Sequence, residues 1–101
     1  MVRFEWDAAK ARSNARKHGV RFDDAMLIFA DPYALAEQDR VERGESRWQT
    51  IGLVAGIVVL VVAHTVRNEA EDEVIRIISA RRAVPKERKR YDENRKKESL
   101  E

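Results

Sequence analysis

Cysteine is absent from this chain of 101 residues, which excludes disulfides and thiolate metal sites and fits a reducing cytoplasm. Histidine is scarce: His18 and His64 are the only two, and their separation matches neither a metal-ligand nor a catalytic spacing. No glycine-rich phosphate loop and no Ser/His/Asp signature is present, which disfavours nucleotide-driven chemistry. Long apolar runs are missing as well. The longest, Ile51 to Ala63, spans thirteen residues and contains Gly52 and Gly56, against roughly 20 needed to cross a bilayer as a helix. The opening residues show no secretory pattern, so no membrane partner is expected.

Charge is abundant but unevenly placed. The chain carries 20 Lys and Arg against 18 Asp and Glu, and the excess of cations lies in residues 81–101. Such clustering suits nucleic acid or an acidic protein partner, and equally a solvated, charged helix. The length suits one domain, residues 1–99, with a basic helix from about residue 84. Leu100-Glu101 reads as a cloning remnant.

The alternation of Val2, Phe4 and Trp6 with Arg3 and Glu5 has the period of a half-buried strand. Asp7 is placed to cap a helix that Gly19 ends. On it Ala8, Ala11 and Ala15 form a slim apolar face opposite Lys10, Asn14 and Lys17. Phe22, Ala25, Met26 and Phe29 predict a second short helix, stopped by Asp31-Pro32. Residues 37–46 suit an exposed hairpin or loop, with an additional strand near Tyr33 to Asp39.

Arg47 to Leu53 and Ile57 to Val66 read as antiparallel strands joined by Val54-Ala55-Gly56. The second is apolar on both faces, as a central strand is. Arg67 to Asp72 read as a polar turn, Glu73 to Ser79 as the last strand, and Pro85 as an early residue of a C-terminal helix. The expected fold is α+β, with two N-terminal helices and a C-terminal helix on one side of a small antiparallel sheet. Little is left to cover the other sheet face, so a bound partner is expected there.

Phe4-Glu5-Trp6-Asp7, Lys10, Asn14, Lys17-His18-Gly19-Val20, Phe22, Ala25, Phe29 and Asp31 resemble the BrnT family of bacterial type II toxins. Glu42-Arg43, Arg67, Arg76 to Arg81, Glu87-Arg88 and Tyr91 extend the likeness over nearly the whole chain. The resemblance implies a RelE-like fold and a ribonuclease that arrests translation in the bacterial cytoplasm. It also implies a BrnA antitoxin whose ribbon-helix-helix part binds operator DNA. Two departures stand out: Val84-Pro85 replaces a hydroxyl or small polar cap before the last helix, and the turn from Asn68 to Glu73 reads as long.

RNA cleavage without a metal or other cofactor needs the 2′-hydroxyl deprotonated, the phosphorane charge stabilised and the leaving 5′-oxygen protonated. Arginine suits the middle task. The candidate catalytic residues are Arg67, Arg76 and Arg81 for phosphate, with His64 and Tyr91 as proton-transfer candidates. Three have a plainer alternative: Arg76 in a buried ion pair, His64 as a satisfied core histidine, Tyr91 as an anchor for the last helix. Arg67 and Arg81 are expected to converge on one rim. Lys10, Asn14, Lys17, His18, Arg43 and Arg88 are candidate RNA contacts; the helix stripe fits a solvated face equally well, and His18 suits a cation at a helix C-terminus. The expected function is a metal-independent endoribonuclease toxin whose antitoxin covers the sheet or active surface. The alternative is a non-catalytic nucleic-acid-binding co-repressor module, and a purely structural interaction domain ranks third.

Overall fold

Asp7 begins the first helix as its position suggests. In the computed structural model, which describes residues 1–100, its carboxylate accepts the Lys10 amide at 3.0 Å, while Gly19 closes the helix at φ 68°. The elements in chain order are β1 (Val2–Glu5), α1 (Ala8–His18), α2 (Phe22–Ala25), a 3-10 turn (Met26–Ala30), β2 (Leu35–Glu42), β3 (Glu45–Val54), β4 (Val58–Glu69), β5 (Asp72–Arg82) and α3 (Pro85–Ser99). Glu101 of the expected remnant lies outside the described residues. No helix among the described residues is long and apolar enough to cross a membrane.

The strands form one sheet in the order β1-β5-β4-β3-β2. β4 is central, as its two apolar faces required. The sheet is antiparallel except at one edge, where β1 runs parallel to β5. The segment expected as an exposed hairpin or loop is a hairpin: it completes β2 and turns into β3 at Arg43 (φ 54°) and Gly44 (φ 78°). The supposed long turn after Arg67 is also strand: Glu69 pairs with Asp72, and Ala70 makes the tight corner at φ 56°.

The helices occupy both sides of the sheet, contrary to the one-sided packing expected from the sequence. Strand residues alternate between faces, and the two core clusters separate by that parity. On the first face Leu60, Val62, Ile77 and Ala80 pack against Val20, Phe22, Ala25 and Ile28. On the second, Ile51, Val59 and Val61 receive Tyr91 from α3. A helix with a single buried residue, Tyr91, thus covers part of the face that had been assigned to a partner.

Val84 offers no capping oxygen, yet α3 starts cleanly. The Glu87 carboxylate reaches back to accept the Val84 amide at 2.9 Å, half of a capping box. At Gly52 the backbone of β3 comes so close to the 3-10 turn that an added Cβ would stand 2.7 Å from Ile28 Cβ.

Two side chains finish the sheet where strands end early. β1 stops opposite Arg76, leaving the outer edge of Ala80 without a neighbour. Asn14 of α1 supplies the peptide-like group, donating to the Ala80 carbonyl at 2.8 Å and accepting the Ala80 amide at 3.1 Å. At the other edge β2 begins opposite Ile51, and Asp31 accepts the free Leu53 amide at 2.9 Å. Buried backbone groups require such partners.

Candidate nucleic-acid interface

The second face carries the charged chemistry, ordered by strand register. Arg40, Arg47, Thr65, Arg76 and Glu5 pair in succession across all five strands. Directly paired residues share a face, so these side chains form one row. The next row is Glu37, Gln49, Ala63 and Ser79, and the one after is Leu35, Ile51, Val61 and Arg81. α3 lies over the third row through Tyr91, and its Arg90 pairs with Glu37. Between α3 and the arginine row lies a strip of Gln49, Ala63 and Ser79, with the ion-paired Glu37 at its β2 end.

Glu5 organises one end of that row. Arg67 grips its carboxylate with two bonds of 2.9 and 3.0 Å, and Arg76 adds one of 2.9 Å. These bonds, Arg67's first, lower the Glu5 pKa to about 2, so the carboxylate stays charged and is a poor proton acceptor at neutral pH. Arg67 also bonds Glu69 at 3.0 and 3.2 Å. The two carboxylates raise the Arg67 pKa.

Arg81 belongs to a different structure. It forms a bidentate pair with Glu87 at 2.7 and 2.8 Å, which ties the start of α3 to β5. Because Arg67 pairs with Val74 while Arg81 pairs with Val61, six positions of β4, roughly 20 Å, separate them. The expected convergence of Arg67 and Arg81 on one rim does not occur. Antiparallel pairing sends the C-terminal ends of β4 and β5 to opposite ends of the sheet.

His64 lies on the first face, away from the arginine row. It is 3% exposed, its Nε2 sits 2.7 Å from Thr50 Oγ1, and Phe29 meets its ring edge-on at 4.9 Å. Together with Phe29, Trp48 and Ile75 it walls an apolar cavity of about 340 Å³. Burial lowers its pKa, partly opposed by the Thr65 carbonyl. Tyr91 is buried too, and its hydroxyl donates to Asp31 at 2.6 Å. Burial first, and then the Asp31 carboxylate, push that hydroxyl up to about 12. For Asp31 itself burial works upward, but the bonds from Tyr91, Leu53 and Tyr33 outweigh it and hold its pKa low.

The expected RNA-contact residues are dispersed. Asn14 is buried rather than part of a polar stripe: both amide hydrogens are taken by the Val20 and Ala80 carbonyls. Lys10 and Lys17 remain exposed on α1 and His18 is half-buried at its end. Arg43 occupies the tip of the β2–β3 hairpin, and Arg88 lines an open groove along α3 with Lys89 and Lys96. Arg47, Thr65 and the charge-organising part of Glu5 escaped the sequence reading. Their sequence spacing carries no signal, because only the register of four strand pairs puts them in one row.

This is a small α+β domain with helices on both faces of a mixed sheet and an arginine-bearing surface of the type that binds phosphate backbones. The chain belongs to the family described as "Ribonuclease toxin, BrnT, of type II toxin-antitoxin system", whose model matches residues 6–87. Membership makes it a ribonuclease toxin, with RNA as substrate and an antitoxin as partner. Its fold is similar to that of the Brucella abortus ribonuclease toxin BrnT, with a TM-score of 0.64 and 23% identity over 83% of this chain and 99% of that one. No curated protein sequence matches it.

Proposed function

We propose that the chain is an endoribonuclease that cleaves RNA without a metal ion, arrests translation in the bacterial cytoplasm, and is neutralised by a BrnA-like ribbon-helix-helix antitoxin. The antitoxin would also link the pair to operator DNA. The observation that carries this reading is the arginine row on the second face, with Arg76 buttressed by Glu5. The groups presented there are guanidiniums and the carboxylates of Glu5, Glu37 and Glu42 that pair with them.

The chemistry that suits them is attack of the ribose 2′-oxygen on the adjacent phosphorus with expulsion of the 5′-oxygen. The 2′-proton leaves to a base and the 5′-oxygen gains a proton, giving a 2′,3′-cyclic phosphate and a 5′-hydroxyl. Guanidinium donors stabilise the extra negative charge of the phosphorane. Arg76 is assigned this role. Arg67 supports it from behind through the shared Glu5, whereas Arg81 holds α3. An antitoxin lying over the arginine row would silence the enzyme by excluding the RNA backbone.

The test is cleavage of a defined RNA in excess EDTA, with the ends mapped. Cyclic phosphate and 5′-hydroxyl ends, lost in a folded Arg76→Ala variant, are expected. Unchanged RNA, or salt-sensitive retention without cleavage, would overturn the reading in favour of a binding module.

A further inference from the structure

The arginines of the second face differ in how many of their donors remain free. Arg67 uses its Nε and both terminal nitrogens on Glu5 and Glu69. Arg81 commits both terminal nitrogens to Glu87. Arg76, by contrast, makes one bond, from a single terminal nitrogen to Glu5. Arg47 makes none. Its Nε is buried without a hydrogen-bond partner, and its ion-pair neighbour, Glu42, stands 3.5 Å away while accepting a bond from Arg40.

Arg40 also spends a single nitrogen, on Glu42, but it stands on the outer strand β2 beyond Arg47, whereas Arg47 and Arg76 stand on either side of Thr65. Arg47 pairs with Thr65 on β3 and Arg76 pairs with it on β5. Two strand spacings put their backbones roughly 10 Å apart, a gap that two arginine side chains on the same face can bridge with one tetrahedral anion between them. Arg47 is 26% and Arg76 40% exposed, and without a ligand their heads lean outward, Arg47 to Glu42 on β2 and Arg76 to Glu5 on β1, so both swing inward to share an anion. An unpaired buried donor is costly. A swing of the Arg47 head toward Thr65 would open that donor to a phosphate oxygen and relieve the cost.

Resting on the ribonuclease reading of this face, we infer that Arg47 is the second guanidinium of the substrate site, gripping the RNA phosphodiester opposite Arg76 above Thr65. The ligand is a backbone phosphate rather than a base, since guanidinium forks match phosphate oxygens and the Thr65–Ala63 floor offers no base-sized slot of its own. Arg67 and Arg81, saturated by carboxylates, hold the scaffold instead.

The experiment uses a short 2′-O-methyl oligonucleotide, which binds but cannot undergo the transfer. Arg47→Ala, shown folded by its circular dichroism spectrum, is expected to weaken binding roughly ten-fold or more and to make the slope of log K against log salt shallower by about one. Wild-type Arg47 Nε should show a saturable ¹⁵N shift as the oligonucleotide is added, a reading that does not depend on any variant folding. Unaltered affinity in Arg47→Ala, or a silent Arg47 resonance at saturation, would overturn the assignment. A wild-type protein that binds through Arg47 yet leaves ordinary RNA intact would overturn the ribonuclease reading and leave this site standing.

Discussion

Tyr91 and Asp31, sixty positions apart, meet in a hydrogen bond of 2.6 Å that fastens α3 to the edge of the sheet. Asp31 receives three donors there, the Tyr91 hydroxyl and the Leu53 and Tyr33 amides, so one carboxylate joins the end of the 3-10 turn, β3 and the C-terminal helix. Removing one donor leaves the others in place.

Tyr91→Phe should therefore keep the ring's packing and lose only the hydroxyl bond. The expected cost is about 1–2 kcal/mol, a fall in melting temperature of several degrees. Thermal unfolding by circular dichroism checks it. An unchanged melting temperature would mean that water replaces the hydroxyl without loss.

Asn14→Ala removes the stand-in for a strand neighbour and strands the Ala80 amide and carbonyl. Each orphaned buried group costs about 1–3 kcal/mol, so this variant should be among the least stable single replacements on α1. Asn14→Asp, which keeps an acceptor but loses the donor to Ala80 and Val20, should also be destabilised. Denaturant titration gives the ranking, with Lys17→Ala as a near-neutral control.

Acid should weaken the Glu5 cluster in a defined window. The folded pKa of Glu5 lies at about 2 against an ordinary 4.5, so the unfolded chain takes up this proton at higher pH than the folded one. The contribution is complete above about pH 4.5 and disappears as pH falls through about 2. Melting curves between pH 5 and 2 should be less steep in Glu5→Gln than in the wild type. Identical slopes would show that the arginines do not act through Glu5.

His64 titrates with a different consequence. Burial holds its folded pKa below the ordinary value of 6.5, so the stability that neutral His64 brings is present above about pH 6.5 and is lost as pH falls toward the folded value. His64→Ala should remove that component, leave Thr50 without its partner at a cost of about 1–3 kcal/mol, and preserve cleavage per folded molecule. Retained stability with lost cleavage would return His64 to the mechanism.

Local signals made much of the scaffold legible. Asp7 and Gly19 bounded α1, the alternation from Val2 to Trp6 marked β1, and the two apolar faces of β4 announced its central place. These features depend on neighbours within a few residues, where period and capping chemistry act. Strand extent was less visible at Glu37–Glu42 and Arg67–Glu69 because polar residues on exposed strand faces look like loop. The side of the sheet taken by α3 was invisible, since Tyr91 is its one buried residue.

Sequence alone determined the element types, the central strand, the basic C-terminal helix and, through its motifs, the family. Only the tertiary structure decided which charges meet. It joined Glu5 to Arg67 and Arg76, sent Arg81 to Glu87, turned Asn14 inward and put Arg47 across Thr65 from Arg76. The reason is physical: charge and hydrogen-bond partners follow strand register and the pairing of distant segments, and neither is written in the spacing of residues along one chain.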